Sequence, residues 1–129
     1  MQKTSSMKPV SAQASNGIGI GLSAACILHC LGTPLLIAAL PGLTWLAGEW
    51  VHISLAIAAA FILVLSMRQW PRSPLGTQIR ILGIVSVAGL FLAALAGVSE
   101  RAEQIMTIIS AIGLSLAHLT ANFQRWHGG

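Results

Sequence analysis

The chain has 129 residues, of which 55% are hydrophobic and only 8% are charged, against about 25% charged residues in a typical soluble domain. This excludes an ordinary water-soluble globule, because too few polar side chains remain to cover its surface. The net charge of +4 comes from a few scattered basic residues, so no nucleic acid is expected as a partner. The composition predicts an all-α, polytopic membrane protein in the lipid bilayer.

Four long segments carry no charged residue. They are residues 9–48, 50–67, 81–99 and 104–124, with 40, 18, 19 and 21 residues respectively. Each is long enough for a helix that spans the hydrocarbon core, which takes roughly 17–25 residues. The sequence therefore predicts a four-transmembrane-helix bundle at residues 17–125, with spans at about 17–40, 50–67, 79–98 and 105–123. Residues 1–16 are interpreted as a flexible cytoplasmic tail and residues 126–129 as a C-terminal tail.

Polar and Pro-rich stretches separate these spans. Pro41-Gly42 ends the first span, a loop with two prolines follows the second, and the polar residues 99–104 separate the last two. A cleavable signal peptide is the rival interpretation of the start, but the apolar run is too long for one. Four tryptophans fall near span ends, where aromatic belts form; they are Trp45, Trp50, Trp70 and Trp126.

The basic residues predict the orientation of the spans, because short cytoplasmic loops are enriched in Lys and Arg. Most of them lie in the N-terminal tail, around the loop after the second span, or at the C-terminus: Lys3, Lys8, Arg68, Arg72, Arg80 and Arg125. Both termini are therefore predicted to be cytoplasmic. Small residues at helical spacing also predict close helix packing, in the stripes Gly17, Gly21, Ala25 and Gly113, Ala117, Ala121.

Cys26, His29 and Cys30 form the most informative group in the chain. Residues at positions i, i+3 and i+4 share one face of a helix, so two thiols and an imidazole point the same way. This is a soft ligand set that suits thiophilic metal ions. The alternative is structural, since a buried cysteine often acts only as a small hydrophobic residue.

Three other residues are weaker candidates for binding a metal. His118 lies 13 residues from Ile105, and Cys26 lies 14 residues from Leu40, so similar depths of about 20 Å are predicted from the helical rise. His118 is either a further ligand or a packed histidine bonded to a backbone carbonyl. Glu49 and His52 begin the second span and form either an entry site for a cation or a solvated helix start.

No catalytic set is evident, so the chain is not expected to be an enzyme and needs no cofactor. A thiol redox protein is an alternative of another class, but the chain has no C-x-x-C motif. Glu100 and Glu103 lie in a turn and are interpreted as solvated residues.

The segment at residues 22–36, with C-x-x-H-C followed by L-x-T-P-L-L, resembles the MerC family of bacterial inner-membrane proteins. Glu49 and His52, together with A-H-L-T-A-N at residues 117–122, are also similar to that family. The resemblance implies that Cys26 and Cys30 receive a mercuric ion, Hg(II), from outside the cell and pass it inward. It also implies a place in the bacterial inner membrane.

This chain departs from the mercury transporters of that family because it has no cysteine after Cys30. Those transporters carry a second cysteine pair near the C-terminus, so delivery to a cytosolic acceptor is in doubt here. Transport of Zn(II) or Cu(I) is an alternative, and so is a non-transporting membrane subunit that binds or senses a metal. Four short spans leave little room for a pore in one copy, so a homo-oligomer is a further alternative.

Overall fold

The computed structural model describes residues 12–127, apart from the side chains of residues 12, 13, 125 and 126. Lys3, Lys8 and the last two residues lie outside this part of the chain. The described residues form four long helices and one short 3₁₀ helix. They are α1 (Ala12–Ala39), η1 (Pro41–Ala47), α2 (Glu49–Met67), α3 (Pro74–Leu95) and α4 (Glu100–His127).

All four long helices are long and apolar enough to cross a membrane. Helices α1, α3 and α4 begin about five residues before the predicted span, and in α3 and α4 a polar cap rather than the apolar run sets the first turn. The Ser73 side chain accepts a hydrogen bond from the backbone N–H of Gly76 at 3.1 Å, and Pro74 follows at the first helical position, where its missing N–H costs nothing. Helix α1 begins within the stretch interpreted as a tail, so Asn16 is helical and buried.

The helices form a closed ring in which each long helix packs against two others. The pairs in contact are α1 with α2, α2 with α3, α3 with α4, and α4 with α1. The connections between successive helices are short, so neighbouring helices run antiparallel. The bundle therefore has an end that carries η1 and the α3–α4 turn, called here the η1 end, and an opposite end that carries the α2–α3 loop, called the loop end.

Small residues fill the interior and large apolar side chains cover the outside. Ala59, Ala111 and Ala117 are buried, whereas large hydrophobic side chains are exposed on all four long helices. Examples are Leu35, Phe61, Val85 and Ile109. An exposed surface of this kind is stable only against lipid, so the chain is a multi-pass membrane protein whose outer surface contacts the bilayer.

The two predicted small-residue stripes have different outcomes. Ala117 and Ala121 are fully buried in the core and Gly113 faces Ser86 of α3, which confirms close packing of α4. The prediction of close packing at the α1 stripe is wrong within the described fold, because Gly17 and Gly21 have no neighbouring atom where a side chain would begin. The close approach on α1 occurs instead at Gly19.

Trp70 and Arg80 hold the α2–α3 loop against the bundle. Trp70 is only 3% exposed, and its indole N–H donates to the side-chain oxygen of Asn16 at 3.0 Å. The prediction that it belongs to an aromatic belt is therefore wrong, since its polar atom is satisfied inside the protein. Arg80 donates through Nη2 to the backbone carbonyls of Met67 at 3.2 Å and Trp70 at 2.9 Å, and so ties α3 to the loop that follows α2.

We expect Arg80→Ala to destabilise the loop end of the bundle. The substitution leaves two carbonyl groups without their charged donor, which costs about 1–3 kcal/mol. The melting temperature of the purified protein in detergent should fall, whereas Arg72→Ala, at an exposed position in the same loop, should leave it unchanged. Equal melting temperatures for the two variants would show that the Arg80 contacts contribute little.

Candidate metal-binding site

Cys26 and Cys30 lie on the buried face of α1. Both are free thiols, with 2% and 8% of their surface exposed. They are one helical turn apart, which places their Cβ atoms about 5–6 Å from each other. Two soft sulfur ligands therefore share one face of the helix, at a spacing that one metal ion can bridge.

A cavity of 310 Å³ lies between α1, α2 and α4 at the η1 end, with Cys30 in its wall. This space, called here the outer cavity, is bordered by His29, Cys30, Thr33, Pro34, Ile37, Ala47, His52, Glu100, Glu103 and Gln104. Ala47 and Glu100 are exposed residues, so the cavity reaches the surface of the bundle. An ion that enters there has a route to Cys30 without crossing the apolar outside.

His29 borders the outer cavity. Its Nδ1 is 3.2 Å from the hydroxyl of Thr33, one turn further along α1. Its ring meets the ring of His52 on α2 edge to face, with the centroids 5.0 Å apart. The Nε2 atom of His29 is buried and has no hydrogen-bond partner, so it is a polar atom available to a ligand at the cavity wall.

His52 pairs with Glu103 and not with Glu49. Its Nδ1 lies 2.6 Å from Oε1 of Glu103, whereas Glu49 is exposed at the start of α2. The interpretation of Glu103 as a plain solvated residue is therefore wrong. The sequence grouped His52 with Glu49 as an entry site or a solvated helix start, whereas the fold brings the carboxylate of Glu103 on α4 to His52.

Gln104 is a contact residue that the sequence analysis did not identify. Its side-chain amide donates to the backbone carbonyl of Cys30 at 2.9 Å, which fixes α4 against α1 at the level of the cysteines. Thr107, one turn further along α4, lies beside both Cys26 and Cys30. The only signal in the sequence was a pair of polar residues at helical spacing, which is common on any helix.

His118 lies far from the cysteines. It is fully buried, its Nδ1 is 3.0 Å from the side-chain oxygen of Asn16, and its ring packs edge to face on Trp70 with the centroids 5.5 Å apart. The ring also contacts Gly19, where a side chain would collide with it. The structure therefore places His118 in a polar cluster near the loop end.

The register between α1 and α4 explains why the predicted depth match fails. Cys30 is level with Gln104, and Asn16 is level with His118, so a step of 14 residues on one helix matches 14 on the other. Cys26 is seven residues from Gly19, which places His118 about 10 Å deeper. The depth estimate had set Leu40 level with Ile105, but α1 extends well beyond the start of α4 at the η1 end.

No three His, Cys, Asp or Glu side chains converge closely enough to hold a metal ion together, as far as residues 12–127 are described. The site that the fold assembles from soft ligands is the pair Cys26 and Cys30, with His29 and His52 nearby. Such a pair suits an ion that accepts two thiolates.

Comparison with known proteins gives a match to a protein family. The family model described as MerC mercury resistance protein matches residues 16–123, a range that contains every candidate residue described above. No curated protein and no solved structure matches the chain.

We expect Gly19→Ala to destabilise the bundle, because its new methyl group would collide with the His118 ring. Overpacking of this kind costs about 1–3 kcal/mol. Gly21→Ala is the matched control, since that position has open space, and its melting temperature in detergent should not fall below that of the wild type, because Ala favours a helix more than Gly does. Adding His118→Ala to Gly19→Ala should recover part of the loss, and purely additive losses would contradict the contact.

Proposed function

Because the chain belongs to the MerC family of mercury resistance proteins, we propose that it transports a thiophilic metal ion, Hg(II), inward across the bacterial inner membrane. Cys26 and Cys30 bind the ion. The observation that carries the proposal is a pair of buried free thiols, one turn apart, of which Cys30 borders a cavity that reaches the surface. Thiolates prefer soft metal ions, and the family is one of mercury resistance.

The chemistry of loading is an exchange of ligands. In each step a bond forms between the ion and one cysteine sulfur, a bond to an external ligand breaks, and the thiol proton leaves with that ligand. Thiolate is the form of cysteine that binds metal. Two such exchanges leave the ion held by Cys26 and Cys30 and free of its external ligands. His29, which borders the outer cavity, is placed to stabilise the ion during the first exchange through its unpartnered Nε2 atom.

The donor set favours mercury over zinc. Structural zinc takes four ligands in a tetrahedral arrangement, whereas Hg(II) is satisfied by two thiolates. A nitrogen ligand from His118 would favour zinc or copper. The His118 side chain instead contacts Asn16 and Trp70 at the loop end, so it gives no support to either metal.

The orientation follows from charge. The loop end carries Arg68, Arg72 and Arg80, and basic loops favour the cytoplasmic side. We therefore place the loop end and both termini in the cytoplasm. The η1 end and the mouth of the outer cavity then face outward, which is the side from which an ion is taken up.

Replacing both thiols should abolish mercury uptake. Cells that produce the Cys26→Ser/Cys30→Ser variant should accumulate Hg(II) no faster than cells without the protein, because a hydroxyl does not replace a soft ligand. Ala25→Ser, on the exposed side of the same helix turn, is the control and should transport normally. Uptake by the double variant at the wild-type rate would overturn the proposal.

Metal binding without uptake would favour the rival function. If excess Hg(II) protects both thiols of the purified wild-type protein from alkylation but cells show no uptake, the chain is a metal-binding or sensing subunit rather than a transporter. Zn(II) and Cu(I) in parallel titrations test the choice of metal.

Single cysteines introduced at exposed positions test the orientation. In the Cys26→Ser/Cys30→Ser background, Thr44→Cys and Ser99→Cys should react with a membrane-impermeant maleimide in intact cells, because both lie at the η1 end. Arg72→Cys should react only after the membrane is permeabilised. Labelling of Arg72→Cys in intact cells would invert the proposed orientation.

A further inference from the structure

His52 borders both the outer cavity and a second, smaller space. This space, called here the inner void, has a volume of about 10 Å³. It is bordered by Cys26, Cys30, His52, Leu55, Ala56, Leu90 and Thr107. Of the residues around the two spaces, Cys30 and His52 border both, whereas Cys26 borders the inner void alone.

The His52 side chain is held from two sides. Glu103 of α4 lies 2.6 Å from its Nδ1, and the His29 ring of α1 packs edge to face against it at 5.0 Å. Both neighbours also border the outer cavity. The ring is thus contacted from α1 and α4, and it stands in the wall that the outer cavity and the inner void share.

We propose that His52 is the gate between the two cysteines, so that an ion binds Cys30 first and reaches Cys26 only when the His52 ring moves aside. This inference rests on the proposed function for the identity of the ion. The geometry itself assigns the order, because Cys30 borders the cavity that reaches the surface and Cys26 does not. Glu103 and His29 are positioning residues that keep the gate closed.

The size of the inner void makes the gate selective. A space of about 10 Å³ holds at most one water-sized group, so an ion cannot enter with its shell of external ligands. Hard ions such as Mg²⁺ release their water reluctantly. A soft ion exchanges each external ligand for a thiolate and so passes from Cys30 to Cys26 without ever being free of ligands.

Two single-cysteine variants allow the gate to be measured without any metal. The chain has two cysteines, so Cys30→Ser reports on Cys26 alone and Cys26→Ser reports on Cys30 alone. The purified full-length chain in detergent is treated with a small charged methanethiosulfonate, and the rate of thiol modification is followed. We expect Cys30 to react faster than Cys26.

Opening the gate should affect Cys26 selectively. If the open state is the minor one, at up to about 10% of the population, His52→Ala should raise the rate at Cys26 by about tenfold or more. The rate at Cys30 should stay the same. Glu103→Gln should raise the rate at Cys26 by a smaller factor, because the ring then loses one of its two supports. His52→Phe, which keeps a ring in place, should keep Cys26 slow.

Ser54→Ala is the matched control, since Ser54 is exposed on the same helix and bonds only to the backbone of that helix. An unchanged rate at Cys26 in a folded His52→Ala variant would overturn the gate. So would an equal rise at both cysteines, which indicates general loosening of the bundle. If His52→Ala does not fold, Glu103→Gln and His52→Phe decide the question on the same readout.

The gate and the proposed function fail in different ways. The modification assay contains no metal, so a failure of mercury uptake leaves its result intact. Conversely, a chain that takes up mercury through Cys26 and Cys30 but shows no effect of His52→Ala is a transporter without this gate.

Discussion

The antiparallel register of α1 against α4 is the constraint on which the rest of the structure depends. It is fixed by Gln104 at the carbonyl of Cys30 near the η1 end, and by His118 against Asn16 and Gly19 near the loop end. Polar groups buried in a bilayer must find partners inside the protein, so a slip of one turn would leave several of them unsatisfied. This register brings Thr107 and Glu103 to the cysteines and keeps His118 away from them.

The two ends of the bundle consequently serve different purposes. At the loop end, Trp70, Asn16 and His118 form a buried hydrogen-bonded cluster, and the His118 ring packs directly on Gly19. At the η1 end, polar and ionisable side chains surround a cavity instead of filling it. Tight packing at the loop end keeps the helices together, while the cavity at the η1 end leaves room for an ion from one side of a membrane.

The candidate site also shows where the few acidic residues of this membrane protein lie. Its three acidic residues all lie at the η1 end, and Glu103 is the one that packs against a histidine. Ionisable groups inside a membrane protein are costly unless they are paired, and Glu103 and His52 lie 2.6 Å apart at the cavity wall. The proposed gate uses this pair, which joins α2 to α4.

The sequence by itself determined the four spans, the all-α fold and the Cys26–His29–Cys30 face, because charge-free runs and helical spacing are local properties of the chain. It also carried the family resemblance. Helix starts were placed late because short-range caps at Ser73 and Ser99 lie outside the apolar runs. Only the tertiary structure decided that His52 meets Glu103, that Gly19 rather than Gly17 or Gly21 is the point of close approach, and that His118 is excluded from the cysteine site. Each of these depends on the register between helices far apart in sequence, and hydropathy does not encode that register.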